Sequence, residues 1–142
     1  MDKHILVKGP ITSSMVAEQV GKLQGDIEAG AHSLFLGQVR KDRVNDHTVE
    51  AIEYSAYDEM VEKECGRIKD TIMAAFSDVR DVIILHSTGM VKAGEMSLFV
   101  MITAGHRDHA TRACRHALEM IKENFPVWKK EIFDDGSHKW HS

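Results

Sequence analysis

The chain is poor in cysteine and proline, with two of each in 142 residues. Two cysteines cannot build the disulfide framework of a small secreted scaffold. A chain of this length does not need one, because a single core can bury roughly two-thirds of its unfolded surface. Cys65 and Cys114 both fall at apolar positions of predicted helices, so buried thiols in a reducing compartment are expected rather than a structural disulfide. No apolar run approaches the ~18 residues a membrane span requires, and the N-terminal "MDKHILVKGP" is too short in apolar residues for a signal peptide. The expectation is a cytoplasmic protein with no membrane partner. The P-loop, the dinucleotide fingerprint and the G-x-S-x-G elbow are also missing.

The chain has an ordinary soluble balance, 43% hydrophobic and 28% charged, which suits one domain spanning residues 1–142. Its net charge of −4 is unevenly spread. Residues 1–103 hold 11 Lys/Arg against 16 Asp/Glu, a net of −5, whereas residues 104–131 hold 6 against 4, a net of +2, with three histidines. A cationic patch on an acidic protein suits a small anionic ligand. Nucleic acid draws a broad basic face and is not expected as a partner. The competing reading is a solvated helix with scattered arginines, and composition alone leaves both open.

The pattern predicts a strand at "HILVKG", a helix at "TSSMVAEQVGKL" capped by Ser13 or Ser14, and a second strand at 31–39. That second strand is mostly apolar and therefore expected to be covered on both faces. The charged loop "RKDRVND" leads to a half-buried strand, "TVEAIEYSAY". A helix follows from Asp58 to Phe76, its apolar stripe formed by Val61, Cys65, Ile68, Ile72, Ala75 and Phe76. Next come a strand "VRDVIILHS", a turn "MVKAGE" around Gly94, a strand "MSLFVMITA" and a helix over 106–125. A closing hairpin joins "VWKKEI" to "HKW" through "FDDGS". The fold class is α+β, a mixed or antiparallel sheet with packed helices.

On the last helix, Ala110, Ala113, Cys114, Ala117, Leu118, Ile121 and Phe125 mark the apolar stripe. Lys122 lies about 100° from its centre, where a lysine can run along the core and offer its amine at a cleft edge. A snorkelling surface lysine would look the same. Pro126 ends the helix and is followed by Trp128, Lys129 and Lys130. Were the helix to continue, Lys122 and Lys129 would stand two turns apart, about 10 Å along the axis. The break lets them meet instead.

At the other end, His106 and Arg107 follow a strand and a glycine. Such a junction exposes unpaired N–H groups and the positive end of the helix dipole, which favour anions, and a guanidinium adds a fork for phosphate oxygens. His106-x-x-His109 also admits a zinc reading, hence a metal-dependent hydrolase, but no further ligands at suitable spacing accompany the pair. Cys114 points into the apolar stripe, which argues against a Cys–His nucleophile. Arg40 ends the strand "LFLGQVR" and opens a loop, where functional groups tend to sit, beside a slim backbone at Gly37.

Taken together, "FLGQVR", "SAYDEM", "GMVKAGE", "AGHRDHATRAC" and "IKENFPVWKKE" resemble, in order and spacing, the large catalytic subunit of molybdopterin synthase, from about Gly30 to Trp140. The resemblance implies an α/β hammerhead domain that forms a homodimer within a heterotetramer. Each protomer would bind a small ubiquitin-like sulfur-carrier subunit whose C-terminal Gly-Gly ends in a thiocarboxylate. Its sulfur would pass to a pterin phosphate, cyclic pyranopterin monophosphate, in two transfers that make the dithiolene of molybdopterin. Carried over by motif, Lys122 and Lys129 would be catalytic. Arg40, His106 and Arg107 would hold the substrate, with Gln38, Val39, Lys130 and Glu131 lining the same site. Neither a metal nor a cofactor is implied.

The chain departs from the family pattern at His86-Ser87, where arginine often follows the histidine, and in the loop after Arg40, which lacks the usual glycine. These departures bear on the phosphate site. They leave room for a non-catalytic module that binds a Gly-Gly tail or a phosphorylated metabolite.

Overall fold

A computed structural model describes residues 5–141. In chain order the elements are β1 (Leu6–Lys8), α1 (Ser13–Leu23), β2 (Ala31–Gln38), β3 (Arg43–Val44), β4 (His47–Ala56) and α2 (Asp58–Ala75). They continue with β5 (Val79–Lys92), β6 (Met96–Ala104), α3 (Arg107–Asn124), β7 (Val127–Phe133) and β8 (His138–His141). The strands form one sheet in the order β2-β6-β5-β4-β7-β8, with β1 added to β5 and β3 to β4. The β1–β5 pair is parallel and every other pair antiparallel, so the α+β, mixed-sheet expectation holds.

Both faces of the sheet centre are covered, and β6 explains how. Val100, Ile102 and Ala104 point to the side packed by Val61, Ile68 and Ile72 of α2 and by Ala113, Ala117 and Ile121 of α3. Phe99 and Met101 point to the other side, where α1 closes with Met15, Val16 and Val20. A third cluster, Val39, Tyr54 and Val91, lies where β2 ends beside β4 and β5. No helix among the described residues is long and apolar enough to cross a membrane.

Several local expectations change. The α1 cap is Thr12, whose hydroxyl accepts from the Met15 N–H at 3.2 Å, rather than Ser13 or Ser14. Strand β5 runs on to Lys92 through Gly89, so the turn before β6 is confined to Ala93, Gly94 and Glu95. Gly94 supplies the positive φ of 92° that this turn needs. The charged loop hides a hairpin: Asn45 and Asp46 both take positive φ, 51° and 69°, and join β3 to β4. In α2, Ala75 is exposed and drops out of the apolar stripe, whereas Phe76 still packs against the core.

Strand β2 departs most. It was expected to be covered on both faces, yet it forms the sheet edge and leaves Leu34, Phe35 and Leu36 about 40% exposed (40%, 38% and 43%). Its apolar content reads the same whether a neighbour within the chain or a second molecule covers it.

Candidate functional site

Helix α3 ends because Phe125 precedes a proline and takes an extended conformation (φ −68°, ψ 125°). The chain turns at Pro126 and enters β7, which pairs with β4 in a register that sets Lys129 opposite Tyr54. Side chains then alternate: Lys129 and Glu131 take one face of β7, and Lys130 the other.

Lys122, from the last turn of α3, and Lys129, from β7, border one hollow of about 690 Å³. Phe35, Leu98, Phe125, Pro126 and Trp128 supply much of its apolar wall. A second hollow of about 610 Å³ adjoins it, lined by Gln38, Val39, Arg40, Tyr54, Glu131 and His141 among others. Phe35, His86, Leu98 and Lys129 line both, so the two share a wall.

The end of β2 is fixed against the β5–β6 turn by two backbone bonds, Val39 N–H to Glu95 at 2.9 Å and Gly94 N–H to Val39 at 2.8 Å. A side chain at position 37 would press on Leu98 and Phe35, both 3.2 Å from where its Cβ would sit, so glycine there keeps the shared wall open. Arg40 stands at the mouth, 84% exposed in its side chain, with its guanidinium on Asp42. That bond holds the arginine above its usual value. Glu131 accepts from His141 Nε2 at 2.7 Å.

Of the remaining residues singled out in the sequence, Lys130 faces away. Its ammonium pairs with Glu53 at 3.1 Å and sits 5.1 Å from the centre of the Trp140 ring. His106 and Arg107 start α3 and border neither hollow. Sixteen residues of helix, about 24 Å, separate His106 from Lys122. Within one chain the two groups stand apart.

His106 and His109 instead meet a partner that spacing did not suggest. Both present Nδ1 to the Asp78 carboxylate, at 3.0 Å and 2.5 Å. Burial pushes Asp78 up, but the bonds from His109 and His106 outweigh it and hold the carboxyl below its usual range. The one trio of His, Cys, Asp or Glu among the described residues with mutually close ligand atoms is His47, Asp134 and Asp135, all exposed and far along the chain from the zinc pair considered above. Cys114 is buried and its thiol pushed up, against a weaker bond to Ser33.

Nothing in the sequence marked Phe35, Tyr54 or His141 for a role at the site. His86 was marked only by the His86-Ser87 departure from the family pattern. It is buried, and its Nδ1 lies 2.8 Å from the Ser87 carbonyl oxygen. Burial holds its ring below the usual histidine value; the Ser87 bond opposes this and the Lys129 charge adds to it.

This chain is similar to the molybdopterin synthase catalytic subunit of Dictyostelium discoideum, 38% identical over 121 residues that cover 84% of this chain and 76% of that one. Among solved structures it matches molybdopterin synthase from Staphylococcus aureus with a TM-score of 0.87 at 32% identity, covering 100% of this chain and 98% of the other. The fold also matches a complex of subunits 1 and 2 of the molybdopterin-converting factor from Helicobacter pylori, with a TM-score of 0.81 at 18% identity over 96% and 88% of the two chains. The family model described as "MoaE protein" matches residues 7–124. With most of its length matched in this way, the chain belongs to the MoaE protein family.

Proposed function

We propose that this chain is the catalytic subunit of a molybdopterin synthase, a sulfurtransferase that converts cyclic pyranopterin monophosphate to molybdopterin. The sulfur comes from the thiocarboxylated Gly-Gly terminus of a small ubiquitin-like carrier subunit. The observation that carries this reading is the meeting of Lys122 and Lys129, from two segments separated by Pro126, at one hollow.

The chemistry calls for that arrangement. Sulfur transfer from a thiocarboxylate develops negative charge on oxygen or sulfur, and ammonium groups beside apolar walls stabilise such charge strongly once a bound tail and pterin displace water from the hollow. The hollow, about 690 Å³ and walled by Phe35, Leu98 and Phe125, has room for an extended, side-chain-free tail. Gln38, Val39, Arg40 and Glu131 border the adjoining hollow, where the pterin would lie. Arg40 would leave Asp42 to take a phosphate oxygen, a move its exposure permits.

His106 and Arg107 serve the same reading only through a second copy. The homodimer would bring the start of one protomer's α3 to the lysine hollow of its partner, and the exposed apolar edge of β2 is the kind of surface that such pairing covers. Two protomers with two carriers make the heterotetramer. A free thiocarboxylate and reduced thiols suit a cytoplasmic location, which cell fractionation would check.

The deciding experiment is reconstitution. The purified chain alone should leave the pterin precursor unchanged, and addition of a thiocarboxylated carrier should yield molybdopterin. Carrier binding with no sulfur transfer would favour the non-catalytic module instead.

A further inference from the structure

The wall shared by the two hollows contains a side chain that the functional reading leaves idle. His86 is 8% exposed, yet it lines both hollows together with Lys129. Its hydrogen-bond pattern fixes what it can offer. A carbonyl oxygen only accepts, so Nδ1, 2.8 Å from the Ser87 carbonyl, carries the ring hydrogen. In the neutral ring Nε2 then presents a lone pair. The ring is held neutral near pH 7 by burial and by the neighbouring Lys129 charge, against the Ser87 bond.

The ring is also held in orientation. Tyr54 stands edge-on to it, with 5.3 Å between centroids, and Phe125 lies 6.2 Å away. Nε2 has no protein donor among the described residues, whereas the one side-chain polar atom there that is both sealed and unpartnered is Ser87 Oγ. Nε2 is therefore not sealed, and the space it opens onto is the hollows that the residue lines.

The other polar groups nearby make this lone pair unusual. Lys122, Lys129 and Arg40 only donate. Asp42 and Glu131 keep lone pairs beyond their bonds to Arg40 and His141, but they, like Gln38 and His141, border only the second hollow. Glu123 borders only the first, and His86 is the side-chain acceptor that borders both. Cations can grip an oxyanion but cannot tell a guest bearing an N–H from a bare anion. A fixed acceptor can, because an N–H gains a bond where an oxygen at the same place would meet a lone pair.

The geometry points to His86 as a specificity residue of this site, its Nε2 accepting a hydrogen bond from an N–H of the anionic guest. This rests on the functional reading above. Two guests carry the required group: the heterocycle of the pterin phosphate and the last peptide bond of a Gly-Gly tail.

Ring nitrogen NMR on the isotopically labelled full chain tests it, with the protein alone, with the cyclic pterin monophosphate, and with a short peptide ending in Gly-Gly. The expected result is a hydrogen-free Nε2 signal in the free protein that moves with one guest, and that guest is the one His86 reads. A protonated ring in the free protein overturns the inference. So does a guest that shifts the backbone amides around the hollows while leaving Nε2 unmoved. If neither guest disturbs those amides, the functional reading itself has failed and this inference falls with it.

Kinetics in the reconstituted enzyme give an independent arm. His86→Gln can place an amide oxygen near the Nε2 position and should keep the KM of the recognised guest within about threefold, whereas His86→Leu should raise it roughly tenfold with a smaller change in kcat. Equal KM values for the two variants, each shown to be folded by circular dichroism, would overturn the inference.

Discussion

The Tyr54 ring meets His86 edge-on, its plane at 82° to the imidazole, and its hydroxyl reaches across to Ser97 Oγ at 3.0 Å. Tyr54, His86 and Ser97 are all buried, so strands β4, β5 and β6 are tied together by polar side chains directly behind the candidate site. Burial pushes the tyrosine hydroxyl up, against the Ser97 bond, and pushes the imidazole down. Neither group is charged at neutral pH, and the arrangement depends on that.

A pH-dependent stability follows from His86. Its folded value lies below the ordinary 6.5, so below that pH the unfolded chain binds the proton more readily than the folded one. Stability from this group is complete above about pH 6.5 and is lost as pH falls towards the folded value. Urea unfolding between pH 5 and 8 should show that loss as a midpoint that drops as pH goes below about 6.5. His86→Phe should flatten that slope. An unchanged slope would mean that the ring is not held neutral.

The lysine pair gives the second prediction. Lys122 and Lys129 are exposed, and neither has an ion-pair partner among the described residues, so replacing either with alanine should change stability by less than about 0.5 kcal/mol. If they stabilise charge during sulfur transfer, Lys122→Ala and Lys129→Ala should each lower turnover at least about a hundredfold in the reconstituted reaction. Lys130→Ala, whose ammonium lies on Glu53, should cost far less. Full turnover in Lys122→Ala would remove the catalytic assignment.

The sequence made the elements legible because the periodicities are strong. The α3 stripe reads cleanly, apart from the buried Met120, and β6 is apolar because both its faces are covered. The break at Pro126 was equally plain. What stayed hidden depends on partners distant in the chain. Nothing near His106 shows that Asp78, 28 residues earlier, will clamp it together with His109. Lys130 looks equivalent to Lys129 until strand alternation and the register with Glu53 separate them. The exposure of β2 was invisible because an apolar strand reads alike at the centre of a sheet and at an unpaired edge.

Asp78 carries a third prediction. Its carboxylate restrains two imidazoles through Nδ1 and leaves each Nε2 without a hydrogen-bond partner among the described residues. Asp78→Asn keeps the shape but removes the charge that both rings engage, so the rings should lose their fixed orientation. The expected result is weaker binding of the pterin phosphate, by roughly three- to tenfold in KM, with kcat less affected. The stabilising contribution of Asp78 is present above its ordinary value near 3.8 and is lost as pH falls through the lower folded value. Acid unfolding of the wild type and the variant should therefore converge at low pH.

The separation of about 24 Å between His106 and Lys122 leads to a fourth prediction. No rearrangement short of unfolding α3 can bring Arg107 to the lysine hollow of its own chain. If both act on one substrate, each site must be built from two protomers, with the lysines from one and Arg107 from the other. Lys122→Ala and Arg107→Ala homodimers should then each be nearly inactive. Mixing them under conditions that exchange subunits should restore about a quarter of wild-type turnover, because half the dimers are hybrids and each hybrid has one intact site. Sites confined to single protomers would leave one lesion in every protomer, and the mixture would stay as inactive as its parts. A charge placed in the β2 edge, such as Leu36→Lys, should abolish the recovery by separating the protomers, which light scattering would show as a halving of mass. A Leu36→Lys chain that stayed dimeric would instead place the subunit contact elsewhere on the molecule.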